Sequence, residues 1–339
     1  MNQFKIRAKR SALRWQYSPG ALLMTHLGMG RNFSLELTFM HHISFMKTVT
    51  LLGMAIPFLF ALPFSRAQDD ARPVVDDSKA KVETTATTGL PTLYLVGDSS
   101  LRSDAPLRGW AQEIGAFFDP AKINVVNRAI GGRSSRTFQS DGRWDKILVD
   151  LKPTDWVVVQ FGHNDWGDIG EAGKHRGSLK GLGEETAVDT KLDGTQETVH
   201  TFGWYMRKYG TEARAKGASA IFCSMVPHKD WKDGKIVRKE RDGLVQWTAE
   251  AAKASGAAYI DLNEMVAEQF EKLGPARIEP FFGDKRTHSS PLGAEFNARC
   301  VVAGLRALPG DPLETYLSAK GRGVVPMSEF VTGTPEKAP

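Results

Sequence analysis

Five short apolar runs recur between Thr92 and Leu262, and amphipathic stretches of helical length separate them. The runs occupy 92–96, 123–129, 155–162, 218–227 and 257–262. The third, DWVVVQFG, is continuously apolar rather than alternating with polar residues. A strand of that kind is buried on both faces, the position of a parallel strand covered by helices on either side. The segments 109–118, 143–151, 198–216, 242–255 and 291–308 read as helices, and a further helix runs from the fifth strand through Leu273. Pro291 opens the last one at its first turn, where a missing N–H costs nothing. The pattern predicts a three-layer α/β/α sandwich of flavodoxin-like type, built on a five-stranded parallel sheet. In such sheets ligands gather beyond the C-terminal strand ends, so the polar residues that follow each run are where chemistry is to be sought.

The sandwich occupies 91–320 as one domain, with a tail over 321–339. Residues 68–90 are polar, acidic and poor in aromatics, and read as a flexible linker. Residues 1–67 are a leader. From Met46, one lysine precedes an apolar stretch over 49–64, and Ser65 and Ala67 are small residues placed for a signal peptidase. The segment 46–67 is therefore predicted to be a signal peptide cleaved after Ala67, which makes the protein secreted or periplasmic. Its apolar stretch is shorter than the ~20 residues a membrane span needs, so no membrane association is expected after cleavage. Residues 1–45 carry no such logic and read as a start assigned too early. The leader holds eight Lys and Arg against Glu36, a charge of +7, whereas the whole chain carries +5. The remainder is thus −2, so the basic balance is no argument for nucleic acid, and no nucleic-acid partner is expected. Cys223 and Cys300 allow either one disulfide or two buried thiols, and their spacing is not that of a zinc site.

The polar, glycine-rich segment 166–200 leaves directly from the end of the third strand. Loops of that length are usually functional or disordered, and this one is expected to form an active-site wall rather than a passive insertion.

Four strand-end stretches carry residue types that acyl transfer requires. The first strand ends at Gly97-Asp98-Ser99, the second runs into NRAIGGRSS, the third into FGHND, and FFGDKRTHSSPLGA places His288 just before the last helix. A serine hydroxyl becomes a nucleophile when an imidazole takes its proton. A carboxylate fixes the imidazole's tautomer, and preset donors hold the oxyanion. Gly132 offers an unobstructed backbone N–H, Asn164 a side-chain NH₂, and Ser99 its own N–H. Each stretch alone has an ordinary reading as a turn, a β–α glycine, a helix cap or a surface histidine. Their joint occurrence, in order and at one sheet edge, is what points to a site.

Together these stretches resemble the blocks of the SGNH, or GDSL, hydrolase superfamily across essentially all of 91–310. GDSS resembles the block with the nucleophile, here Ser99. NRAIGGRSS and GHND resemble those with the oxyanion donors, here Gly132 and Asn164. DKRTHSSPLGA resembles the block with the base, here His288. Within the superfamily, VNRAIGGRSSRTF, QFGHND, RGSLKGLGEET, VHTFGWYMRKY and THSSPLGAEFNA are most similar to the rhamnogalacturonan acetylesterases. That resemblance implies removal of acetyl groups from a cell-wall polysaccharide through an acetyl-enzyme, with no metal or cofactor. The family pattern is Asp-x-x-His, whereas here Lys285 stands three residues before His288 and Asp284 stands four before it. Asp284 is expected to complete the triad across a loop one residue longer.

Trp166 and Trp231 follow strand ends and can either stack on sugar rings or pack inward, whereas Trp110, Trp144, Trp156 and Trp204 read as core. Arg133 can meet an acidic sugar or pair with an acid at its turn. Rival readings keep the fold and change the substrate to xylan, a lipid or a thioester, or drop catalysis for glycan binding. The chain lacks a G-x-S-x-G elbow, which argues against an α/β-hydrolase.

Overall fold

A computed structural model of the chain describes residues 86–170, 173–238 and 243–333. The leader, residues 68–85 of the linker and the last residues of the tail lie outside them. The predicted runs form the parallel strands β1 (Thr92–Gly97), β2 (Asn124–Asn127), β3 (Trp156–Gln160), β6 (Ser219–Cys223) and β9 (Ala258–Ile260). Between β3 and β6 lies an antiparallel hairpin, β4 (Thr186–Thr190) and β5 (Gln196–His200), and a smaller one, β7 (Trp231–Lys232) and β8 (Lys235–Ile236), follows β6. The main sheet runs β10-β9-β6-β3-β1-β2. Its sixth strand, β10 (Val331–Thr332), comes from the tail and pairs antiparallel with β9. Chain order along the sheet reverses beside β1, the kind of switch point at which such folds open a crevice.

Successive residues of a strand face opposite sides. Leu93, Leu95, Val158, Ile221 and Ile260 therefore join one core, and Tyr94, Val96, Val157, Val159 and Phe222 the other. The second core is closed by α2 (Arg143–Asp150), α3 (Phe202–Ala215) and α4 (Leu244–Ser255), together with Phe138 of α1 (Ser135–Ser140). The first is closed by α5 (Leu262–Leu273) and α7 (Pro291–Ala307), with the single turn α6 (Pro275–Ile278) between them. Burying each such aliphatic side chain contributes roughly 1.5–3 kcal/mol. Helix starts follow from the residues present. Asp261, Thr201 and Ser290 each accept a backbone N–H three residues on, and Pro291 takes the first position of α7.

Three expectations need correction. The segment 109–118 forms two short 3₁₀ turns, Trp110–Gln112 and Ile114–Phe117. The N–H groups of Trp110 and Ala111 bond to the Ser100 and Leu101 carbonyls, so the backbone is committed to the turn after β1. The polar segment 166–200 contains the β4–β5 hairpin, turned at Asp193-Gly194 and wet on most of its surface, which is why its sequence reads as loop. Residues 198–200 belong to β5, and the helix behind them starts only after Thr201.

Candidate active site

The turn after β1 is built to present a serine. Gly97 pairs with Gln160 of β3, and a Cβ at Gly97 would lie 2.6 Å from the Gln160 carbonyl oxygen, so only glycine fits. Asp98 is fully buried and its Oδ1 accepts both the N–H and the hydroxyl of Ser100, at 2.8 and 2.7 Å. This is an Asx turn, and it gives Asp98 a structural task. Gln160, also fully buried, donates to Ser100 Oγ at 2.5 Å and accepts from the Trp110 indole at 3.0 Å. Ser99 stands at the top of this braced turn, and among the described residues its N–H meets no acceptor.

His288 approaches Ser99 from the loop before α7. Its Nε2 lies 3.0 Å from Ser99 Oγ, and its Nδ1 lies 2.5 Å from Asp284 Oδ2. The other carboxylate oxygen accepts the N–H groups of Arg286, Thr287 and His288 at 2.9, 2.7 and 3.0 Å. The extra residue of the Asp-x-x-x-His loop is thereby wound around the carboxylate, which still reaches the imidazole. Burial alone would raise the Asp284 pKa, but the three N–H groups and His288 outweigh it and hold the carboxyl well below the usual range. Arg286 ties the same loop to the segment after β6, through a fork to both Asp230 oxygens and a bond from Lys229 N–H to the Arg286 carbonyl. A hydroxyl, an imidazole and an ionised carboxylate in this chain can pass a proton from serine to histidine.

The second block stands beside that serine, and the third is tied to the second. A Cβ at Gly131 would lie 3.6 Å from Ser99 Cβ, so the AIGG turn runs directly past the serine. Gly132 has φ +79°, and among the described residues its N–H meets no acceptor. Asn164 Nδ2 donates one hydrogen to the Arg133 carbonyl at 2.9 Å, which fixes the amide and leaves its second hydrogen available. Next to it Asp165, almost fully buried, takes Ser135 Oγ at 2.5 Å, Ser178 Oγ at 2.7 Å and Ser135 N–H at 3.1 Å. Burial raises its pKa to about 6 against the lowering effect of those bonds.

Part of the segment after Asn164 lines a cavity beside it, the candidate wall, and a buried arginine holds that segment. Arg136, fully buried in α1, donates to both Glu197 oxygens at 2.9 Å, to Asp189 at 2.6 Å and to the Gly177 carbonyl at 2.9 Å. The cavity has a volume of about 200 Å³, and its lining includes Asn164 and Trp166. Trp166 is 48% exposed there, as a sugar-stacking ring must be. Trp231 packs against the core instead, and Arg133 pairs with Asp141 at 2.6 Å. Trp204 departs from its core reading: it is only partly buried and stacks on His200 with centroids 3.8 Å apart. Cys223 and Cys300 are separate buried thiols, with pKa values raised by burial. Among the described residues no three His, Cys, Asp or Glu side chains gather as metal ligands.

Sequence reasoning gave no role to Ser135, Arg136, Asp165, Ser178, Asp230 or Arg286. Charged residues read as solvent-facing by default. Only the closeness of Ser135 and Arg136 to the glycine turn, and of Asp165 to Asn164, could have drawn attention to them.

Residues 85–296 match the model of the GDSL-like lipase/acylhydrolase family. The chain is 34% identical over 203 residues to a rhamnogalacturonan acetylesterase of Emericella nidulans, covering 60% of this chain and 80% of that one. It is 31% identical over 229 residues to the probable rhamnogalacturonan acetylesterase YesY of Bacillus subtilis, covering 65% and 94%. The crystal structure of YxiM from Bacillus subtilis superposes with a TM-score of 0.52 at 24% identity, over 64% of this chain and 56% of that one, a likeness of fold. The chain therefore belongs to the GDSL-like lipase/acylhydrolase family, as an SGNH hydrolase of rhamnogalacturonan acetylesterase-like type and a carboxylic ester hydrolase.

Proposed function

We propose that this acetylesterase removes O-acetyl groups from rhamnogalacturonan by a Ser-His-Asp mechanism. The observation that carries the reading is the unbroken contact from Ser99 Oγ through His288 to Asp284. Ser99 Oγ attacks the acetyl carbonyl while His288 Nε2 takes its proton, and Asp284 Oδ2 accepts from Nδ1–H and stabilises the imidazolium. The N–H groups of Ser99 and Gly132 and the spare Asn164 N–H hold the oxyanion, each contributing roughly 3 kcal/mol to the transition state. Collapse expels the sugar oxygen, which takes the proton from His288. Water, deprotonated by the same imidazole, then attacks the acetyl-enzyme, and the imidazolium returns the proton to Ser99 Oγ as acetate leaves. The names of the two relatives and the polar wall beside Asn164 support a pectic glycan over a lipid, which would call for a large apolar cleft.

Acetate release from acetylated rhamnogalacturonan, acetylated xylan and an aryl acetate tests this, with wild type beside Ser99→Ala. Release from the pectic polymer by wild type alone supports it. Activity confined to xylan overturns the substrate, and retained activity in Ser99→Ala overturns the nucleophile. Export through the leader is part of the same reading, since a polymer substrate lies outside the cell. N-terminal sequencing of protein from the medium or periplasm should begin at Gln68, and protein found only in the cytoplasm rejects it.

A further inference from the structure

The wall beside Asn164 contains the tripeptide Lys174-His175-Arg176. It is fixed from behind at successive positions. His175 sits at φ +46°, a left-handed conformation unusual for a non-glycine residue, and its Nδ1 lies 2.8 Å from Asp189. The Gly177 carbonyl accepts from Arg136, and a Cβ at Gly177 would lie 2.3 Å from the Gly167 carbonyl oxygen, so the two backbones touch. Ser178 bonds Asp165 through its hydroxyl and donates its N–H to the Asp165 carbonyl. With His175 turned back into this support, Lys174 and Arg176 line the cavity of about 200 Å³ at Asn164 and Trp166, and also a second cavity of about 250 Å³ at Gly132. Strain held in place by such buttressing is a mark of a functional segment.

Arg176 stands close to the candidate reacting centre, and Lys174 lines the same cavity as Gly132. Gly131 abuts Ser99, and the next residue, Gly132, places a would-be Cβ 3.9 Å from Arg176 Nη1. Two successive glycines thus bridge the hydroxyl and the guanidinium. In the first cavity Asp168 is the one acid of the lining against Lys174 and Arg176.

We propose that Lys174 and Arg176 form an anion subsite that takes the carboxylate of a uronic acid in the acetylated polymer. A guanidinium matches a carboxylate with two parallel N–H donors, and an ammonium adds a point charge with little directional demand. Trp166, in the same lining, offers a ring face to the sugar. The subsite selects an acidic polymer over a neutral one at the same ester, and it rests on the reading of the substrate as pectic.

The test measures steady-state kinetics of the full chain and of Lys174→Gln, Arg176→Gln and the double variant. Substrates are acetylated rhamnogalacturonan, the same polymer with its carboxylates amidated, acetylated xylan and an aryl acetate. Wild type should prefer the acidic polymer over its amidated form. The double variant should lose about tenfold more kcat/KM on the acidic polymer than on the aryl acetate, chiefly through KM. Added salt should narrow the gap. Equal losses on polymer and aryl acetate would mean that the residues only support the fold, and the proposal falls. Wild type blind to amidation also sinks it, with the pectic reading intact. Turnover of xylan and aryl acetate without the acidic polymer removes the pectic reading and the subsite together.

Discussion

Asp284 Oδ2 stands 2.5 Å from His288 Nδ1 while its Oδ1 holds the N–H groups of Arg286, Thr287 and His288. One carboxylate both orients the imidazole and winds the loop that carries it. Asp284→Asn keeps an acceptor for the loop but removes the charge facing the imidazolium, and Asp284→Ala removes both. Each should lower kcat by about 10³- to 10⁴-fold. The alanine variant should also lose stability by about 1–2 kcal/mol, discounted because a third of the side chain is exposed. Since the folded pKa is depressed, that stabilisation is complete above about pH 4 and fades as the pH falls. A rate within tenfold of wild type in Asp284→Ala would make the site a dyad.

The fork from Arg286 to Asp230 is the tether that the longer Asp-x-x-x-His loop uses. Arg286 is 47% exposed and Asp230 28%, so the pair should contribute only about 0–1 kcal/mol to stability. Its effect belongs to geometry. Arg286→Gln should lower kcat about tenfold with KM nearly constant, because small displacements of a base are costly. Arg286→Lys restores charge without the fork and should recover only part of the rate. A fall in melting temperature matching the loss of rate would reassign the pair to folding.

The strands and the five candidate site residues were legible because each obeys a local rule: continuous apolar runs, glycine at tight turns, and polar types at strand ends. The contact from Asp284 to His288 was legible as an option, and the three N–H bonds that complete it depend on loop conformation. Arg136, Asp165 and Asp230 were not legible. Their partners lie 53 and 61, 13 and 30, and 56 residues away in the chain. Such pairs carry no periodicity. The β4–β5 hairpin escaped for a related reason, since Asp189 is buried only because Arg136 receives it.

Asp165 gives the fold a pH dependence. Its pKa is about 6 in the folded chain against about 4 unfolded, so the native state binds more protons between those values. Stability should therefore fall as the pH rises through that window and level off above it, by up to about 3 kcal/mol. Asp165→Asn cannot ionise and should flatten this part of the curve. Melting curves from pH 4 to 8 decide the matter, and identical slopes in the two proteins would assign the dependence to other groups.

Arg136 should prove the most costly side chain of the wall to remove. Burial pushes Asp189 and Glu197 up in pKa, and the guanidinium outweighs it and holds both below the ordinary carboxylate range. Arg136→Met leaves two carboxylates facing each other with little solvent. That should cost about 3–5 kcal/mol, a fall in melting temperature of about 10 °C for a domain of this size. Adding Asp189→Asn and Glu197→Gln to Arg136→Met removes the stranded charges and should restore most of the loss. The activities should separate from the stability. In the restored triple variant the wall is no longer gripped, so activity on the acetylated polymer should remain low while the aryl acetate, which needs no wall, is turned over far better. A triple variant as unstable as Arg136→Met would show that packing rather than charge holds the hairpin. Equal activity on both substrates would show that the hairpin plays no part in holding the polymer.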